Sequence, residues 1–453
     1  MLWHIVTREI LDNLRSLRLS LTFILVVLVM GMSGLVFVEN YEQLVSDYSQ
    51  NRNENLDRLR ERAKRPSALY QVASFGAQRT YKIPIPLQFL AEGHEGDLPN
   101  MFYVNAFWVT SPQNRSRSNF MLWRFSAIDW TFVIGIVMSF AALILTYNGI
   151  SGERERGTLR LTLSCPIPRA TILLSKYIGA MISLAFPLIA GMLLNLIIVN
   201  SSSLVSLGGA DWAKIVLVAG LSLIYVSLFA FLGLLMSSLT RSSATSLIAL
   251  LLVWVILVIL IPGSGGLLAS RLAEVPDQGK MYAQAVQASW DAGRPYGNGS
   301  FNWSPRESLP GAVAMSNAWE KVFYGYMNQL TRQVKLARKI TRISPKAIYE
   351  YACEGIAGTG LGHFEHFFEQ VKRYKEALWG FAQSEAKKGD DKVPGKELYR
   401  LKVDFDAIPK FQERAATASE TLKEVQLDVL MLFLFNVLFF LGAYAAFLRY
   451  DVR

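Results

Sequence analysis

Six stretches of this chain are apolar for long enough to cross a bilayer, which rules out a water-soluble fold for much of it. They run at about Leu19 to Val38, Ile128 to Thr146, Ile172 to Val199, Trp212 to Met236, Ala244 to Ile261 and Val429 to Leu448. A helix of roughly 20 residues spans the hydrocarbon. Lipid offers the backbone no hydrogen bonds, so each stretch is predicted to be helical. Hydrophobic residues make up 52% of the chain and are gathered into these blocks rather than spread at core periodicity. The formal net charge of +10 raises the question of nucleic acid. The blocks place much of the chain in lipid instead. Its basic residues lie largely in two long polar stretches that also carry many acids. Solvated surface near anionic lipid headgroups is the plain reading, with membrane lipid and no nucleic acid as partner.

Residues 2–18 have the pattern of an amphipathic helix. Trp3, Val6, Ile10, Leu14 and Leu17 share one face, and Arg8, Asp12 and Arg15 take the other. Such a helix lies in the membrane interface as an elbow before the first span. A secretory leader is the rival reading, but its basic region is short, and here Glu9 and Asp12 precede the apolar core. Within 39–126, Tyr41 to Arg65 is charge-rich and helical in pattern. From Ala68 to Phe107, aromatics with Pro84 and Pro86 predict short strands and turns. Pro187 is a kink candidate in the third span, and Pro262-Gly-Ser-Gly-Gly reads as a turn ending the fifth. The second polar stretch predicts helices over Ser316–Arg342, Pro345–Gly355 and Gly362–Lys388.

The chain is therefore read as a mainly α membrane protein with six transmembrane helices, an N-terminal interfacial elbow helix and two extracytoplasmic domains. The first domain is mixed α/β and the second mostly helical. The divisions are 1–38, 39–126, 127–262, 263–426 and 427–453. Orientation comes from the short flanks. Arg8, Arg15, Arg18, the 153–176 cluster, Arg241, Arg449 and Arg453 fall on one side, while 200–211 has no Lys or Arg. Both termini are expected in the cytoplasm and both long stretches outside. Cys165 and Cys353 then lie on opposite sides, which forbids a disulfide between them.

Between the second and third spans lies a charged segment, 148–170, with Glu153, Arg154, Glu155, Arg156 and Arg160 beside Leu159, Leu161 and Leu163. Pro166 and Pro168 stop any helix before the next span. One reading is a short amphipathic helix on the membrane face, leucines in the interface and charges offered to a partner. The other is an ordinary charged loop. The string Glu153-Arg-Glu-Arg-Gly157-Thr158-Leu159, followed by Leu163-Ser-Cys-Pro166-Ile167-Pro-Arg169 and Lys176, resembles the cytoplasmic loop of ABC-2 type transporter permeases. That resemblance implies a coupling helix that docks on a separate ATPase subunit through Glu153 to Leu159, with Arg8, Asp12 and Arg15 of the elbow beside it. It implies two ATPase subunits that bind the ATP and Mg. It also implies a second permease copy or a paralogous permease, and a bacterial inner membrane. A second resemblance lies in Ile343-Ser-Pro345, Ala357-Gly-Thr359, Phe368 and Tyr374. These look like the extracytoplasmic insertion of an ABC-2 subgroup described with copper-enzyme-maturation and gliding-motility permeases, which implies a periplasmic partner. Gly360 stands where that subgroup commonly carries an acid.

No G-x-x-x-x-G-K-[ST] loop is present, so no cofactor is expected in this chain. His363, His366 and Glu369 share a helix face and could offer ligands to zinc or copper. The alternative is an exposed polar face beside Phe364, Phe367 and Phe368. Three ligands on one unbroken helix rarely close a tetrahedral site, so no metal is expected. No Ser-His-Asp or Cys-His arrangement is identifiable, and the chain reads as non-catalytic. Asp129, Lys176, Asp211, Lys214 and Asp428 all sit at span ends. Ion-coupled carriers place such groups at depth, so the pattern favours a machine driven from outside the membrane. Lys176, one turn inside its span, is expected to snorkel. The reading is a permease subunit that exports cargo or transmits force. The alternative is a membrane-anchored scaffold or sensor that binds a periplasmic partner without transport.

Overall fold

Each of the six apolar runs is carried by a helix long and apolar enough to cross a membrane. The computed structural model describes residues 2–65, 68–93, 99–112, 128–164, 167–296, 305–388, 403–415 and 418–449. Helix α1 (Leu2–Leu14) is the elbow, slightly shorter than its sequence pattern. The chain breaks at Arg15-Ser16, where the Ser16 hydroxyl accepts from Leu19 N and caps α2 (Leu17–Ala63). Helix α2 has 47 residues, about 70 Å of rod, more than twice the hydrocarbon thickness. The first span and the charged helix after it are thus one element. No proline or glycine separates Val38 from Arg65.

Asp129 caps the second span, its Oδ1 accepting from Phe132 N at 2.7 Å. That span, α3 (130–146), includes a π-helical stretch, Val133–Met138. Two short helices follow, α4 (Ser151–Glu155) and α5 (Thr158–Ser164). The third span, α6 (Arg169–Ser201), runs through Pro187 as a single helix. The fourth is α7 (Gly209–Leu239) and the fifth α8 (Ser243–Leu272). Gly263-Ser-Gly-Gly is therefore helical, not the turn its composition predicts. A π-helical stretch, Val255–Leu260, directly precedes Pro262, which lies inside the fifth span. Gly265 faces Thr341, and a Cβ there would lie 2.3 Å from Thr341 Cγ2. This glycine permits close helix packing.

Helices α9 (Gln278–Gly293), α10 (Pro305–Thr341), α11 (Pro345–Ala357) and α12 (Gly360–Lys388) form the second polar stretch. The last span belongs to α13 (Ala418–Leu448). The predicted strands are β1 (Gln78–Tyr81), β2 (Met101–Val104) and β3 (Val109–Thr110), antiparallel in that order, with Gln78 opposite Val104 and Val104 opposite Val109.

The spans are pinned by polar bonds in an apolar surrounding. Trp130 Nε1 donates to Asn195 Oδ1 at 2.9 Å, and Asn195 Nδ2 donates to Met30 O at 2.8 Å, joining α3, α6 and α2. Asn436 of α13 donates to Ile224 O at 3.0 Å and accepts from Ser227 at 2.8 Å. Such bonds add about 1 kcal/mol each between membrane helices. The two polar stretches, read from sequence as separate domains, share one hydrophobic core. Phe102 of β2 packs at ring-centroid distances of 5.7 and 5.1 Å from Phe367 and Phe368 of α12.

Candidate coupling surface

Where α3 leaves the apolar bundle, the chain must turn without stranding backbone donors. Ser237 Oγ of α7 accepts from both Ile150 N and Ser151 N at 3.0 Å. Helix α4 then starts, ends at Glu155, and turns through Gly157 at φ +73° into α5. Left-handed backbone disfavours any residue with a Cβ, which accounts for glycine here. Leu159 is buried with Ile150, Ile172, Leu234, Ala443 and Phe447, so α5 is docked on α6, α7 and α13.

The charges of this segment are largely engaged within the chain. Lys176 Nζ on α6 donates to Glu153 Oε1 at 2.6 Å and to Glu9 Oε1 of α1 at 2.7 Å. The lysine side chain is 5% exposed. It does not snorkel, because two carboxylates reach it inside the bundle. Glu155 accepts from Ser243 N at 2.9 Å and Ser243 Oγ at 2.6 Å, placing negative charge at the start of α8. Those bonds hold its carboxyl below the usual range. Arg154 Nη1 donates to Thr240 O at 2.9 Å. Arg169 Nη1 donates to Phe447 O at 3.1 Å and Leu448 O at 2.8 Å, closing the C-terminal end of α13. One short segment thereby ties α1, α6, α7, α8 and α13 together.

The residues read from sequence as a docking set therefore divide. Arg156, Gly157 and Thr158 point outward, with Arg160 and Leu161 continuing the exposed strip. Leu161 is 71% exposed, while Leu159 turns into the bundle, so the leucines do not share one face. Glu153 and Arg154 are half-buried and make contacts within the chain, while Glu155 is exposed but hydrogen-bonded to Ser243. Arg8 and Asp12 on α1 and Arg15 just after it are exposed, and Arg8 lies 3.9 Å from Asp12. The apolar side of α1 is held by buried Val6 and by Asn13 Nδ2 donating to Ser183 Oγ at 3.2 Å. Glu9 and Lys176 form the link that sequence reading missed. The available signal was their placement, since each interrupts an apolar helix face.

The histidine face lies far along the chain and has other partners. His363 Nε2 is 2.8 Å from Glu413 Oε1, His366 Nε2 is 3.0 Å from Arg414 O, and Glu369 accepts from Lys372 at 2.6 Å. Among the described residues, no group of three or more His, Cys, Asp or Glu could hold a metal ion. Cys165 and His94 lie outside the described residues. Gly360 has φ +76°, and a Cβ there would lie 2.5 Å from Glu354 Oε2. Glu354, on α11, is ion-paired with Arg338.

A family model described as "ABC-2 family transporter protein" matches residues 3–452. Over 55 residues the chain is 44% identical to "Probable ABC transporter permease protein NosY" of Stutzerimonas stutzeri. That match covers 12% of this chain and 20% of the relative.

Proposed function

This chain belongs to the ABC-2 family of transporter proteins, and from that premise we propose that it is the permease subunit of an ATP-driven transporter. ATP and Mg belong to two partner ATPase subunits, and the membrane part is completed by a second permease copy or a paralogue. In this reading the end of the bundle bearing α1, α4 and α5 faces the cytoplasm, in a bacterial inner membrane. The polar body lies outside, where it receives cargo, releases it, or passes force to a periplasmic partner.

The observation that carries the proposal is the buried link Glu9–Lys176–Glu153 beneath an exposed basic strip. Motion imposed on α4 and α5 by a docked protein reaches α6 and α1 through short charged bonds, without depending on a flexible loop. Leu159 adds an apolar anchor to α13. The outward residues Arg156 and Arg160, with Arg8 of α1 and Arg15 just after that helix, present positive charge to an acidic docking face. Affinity purification of the tagged full chain from its native membrane tests this. Recovery of an ATPase with a phosphate-binding G-x-x-x-x-G-K-[ST] loop, in equal number to the permease chains, is the expected result. Recovery of the permease with no such ATPase under conditions that preserve membrane complexes contradicts it.

A further inference from the structure

A cleft in the polar body has no part in the coupling reading. It opens where α2, β1, α12 and the 409–412 segment meet, and it holds about 120 Å³ of open space. Its walls carry three cations, Arg52, Arg79 and Lys410, and no carboxylate lines it. Among the described residues, neither Arg52 nor Arg79 forms an ion pair. Arg79 lies over the Tyr103 ring, 5.8 Å from its centroid. Lys410 has Asp406 at 3.5 Å, but that carboxylate is 88% exposed and screened by water. Glu413 adjoins the cleft, yet its oxygens are taken by Ile83 N at 2.6 Å and His363 at 2.8 Å. Positive charge is also concentrated behind the wall. Arg58, Arg65 and Arg79 all press on Arg62, and burial with these neighbours lowers its pKa.

The remaining lining is aromatic and amide. Tyr374 is buried in the floor, its hydroxyl donating to Pro409 O at 3.1 Å, and Phe411 packs edge-on to it at 5.4 Å. Tyr48 and Tyr81 are half-exposed at the walls. Asn55 uses its oxygen on Arg79 N at 3.0 Å, which leaves its amide nitrogen to donate. Convergent cations without acids suit a phosphoryl group, which guanidinium groups bind by paired N–H donors. Ring walls with amide donors suit a polyhydroxylated ring beside it. The open space equals roughly four waters, enough for the phosphoryl group with the rest of the ligand extending outward.

We propose that this cleft binds a phosphate ester of a sugar or cyclitol, either free or as a lipid headgroup. The proposal stands on the polar body alone and holds whether or not the ATPase reading does. The full chain in detergent is titrated calorimetrically with glucose 1-phosphate as the free ester and with short-chain phosphatidylinositol as the headgroup. Glucose is the uncharged control. Saturable binding of either ester is expected, with glucose at least tenfold weaker. Tighter binding of glucose 1-phosphate assigns a free ligand; tighter binding of the inositol lipid assigns a headgroup. Arg52→Gln with Lys410→Gln is expected to weaken binding at least tenfold without changing the thermal behaviour of the chain, Arg52 being exposed and Lys410 resting on the Phe405 ring at 4.1 Å. Lys335→Gln, an exposed cation on α10 outside the cleft, is expected to leave it unchanged. Failure of both esters to bind, equal binding of glucose, or full affinity in the double variant overturns the proposal.

Discussion

Lys176 Nζ lies 2.6 Å from Glu153 Oε1, inside a span and across the turn from the segment that carries the glutamate. Glu9 approaches the same ammonium at 2.7 Å, so the cluster holds one cation against two carboxylates. The second carboxylate oxygen of Glu153 is buried and has no hydrogen-bond partner.

This imbalance predicts an order of damage. Lys176→Met leaves two carboxylates facing each other in a low-dielectric site. Breaking a buried pair in that way costs about 3–5 kcal/mol. Glu153→Gln removes the surplus charge and leaves Glu9 paired with the lysine, so it should cost less than half as much. Heating the detergent-solubilised chain and measuring the monodisperse fraction ranks the two. Equal loss for both variants contradicts the charge argument.

A second prediction concerns two glycines with different reasons to be glycine. At Gly157 the backbone is left-handed, but a Cβ added there would meet nothing within 4 Å. Gly157→Ala should therefore cost only the conformational penalty, about 1–2 kcal/mol. Gly233 has ordinary helical backbone, yet a Cβ there would fall 1.8 Å from Thr146 Oγ1. Gly233→Ala must separate α7 from α3 and should cost about 3 kcal/mol or more, at or beyond the top of the usual overpacking range. Adding Thr146→Ala removes the 1.8 Å contact but leaves the Cβ of residue 146 at 2.9 Å, so it should recover part of the loss. The same thermal assay reads both, and absence of rescue contradicts the steric account.

These sites show why some of the architecture was legible in the sequence. Apolar runs announce spans because lipid leaves no alternative to a helix, and Ser344-Pro345 announces α11 because Ser344 caps it, accepting from Ala347 N at 3.2 Å. The outward strip was partly legible through Gly157, which follows the charged run 153–156. Pairing between distant segments was not. Lys176 looked like a snorkelling lysine because its partners lie 23 and 167 positions away. Gly263-Ser-Gly-Gly looked like a turn because composition does not show that Thr341 crosses there. The cleft at Arg52, Arg79 and Lys410 draws on segments with no common motif.

Thiol chemistry gives a test of orientation, but not through the native cysteine. Cys353 is fully buried, and burial pushes its thiol well above the ordinary value. An impermeant maleimide should leave it unmodified in the folded chain and label it after denaturation in detergent. The side of the membrane is read instead from Asn53→Cys, exposed on the polar half of α2, and Arg160→Cys, exposed on α5. With Cys165 replaced by Ser, spheroplasts should be labelled at position 53 and not at 160. The opposite result inverts the proposed topology.

The docking surface itself is best tested on charges that are not engaged inside the chain. Reversing Glu153 or Glu155 would break the bonds to Lys176 and Ser243, and loss of function would then report a damaged fold. Arg156 and Arg160 are exposed. Among the described residues, Arg156 makes one hydrogen bond, from its Nε to Gly152 O at 3.1 Å. Arg156→Glu with Arg160→Glu should therefore preserve membrane abundance and thermal behaviour. One exposed pair contributes about 0–1 kcal/mol, so a single reversal should change little. Two reversals replace attraction by repulsion at one docked face and should lower ATPase recovery in affinity purification by about tenfold or more. The loss should shrink at high salt, because screening relieves the repulsion. Lys replacements at both positions keep the charge and should retain the partner, which separates electrostatics from shape. Undiminished recovery with the double reversal would mean that the basic strip is solvated surface and that the ATPase docks elsewhere.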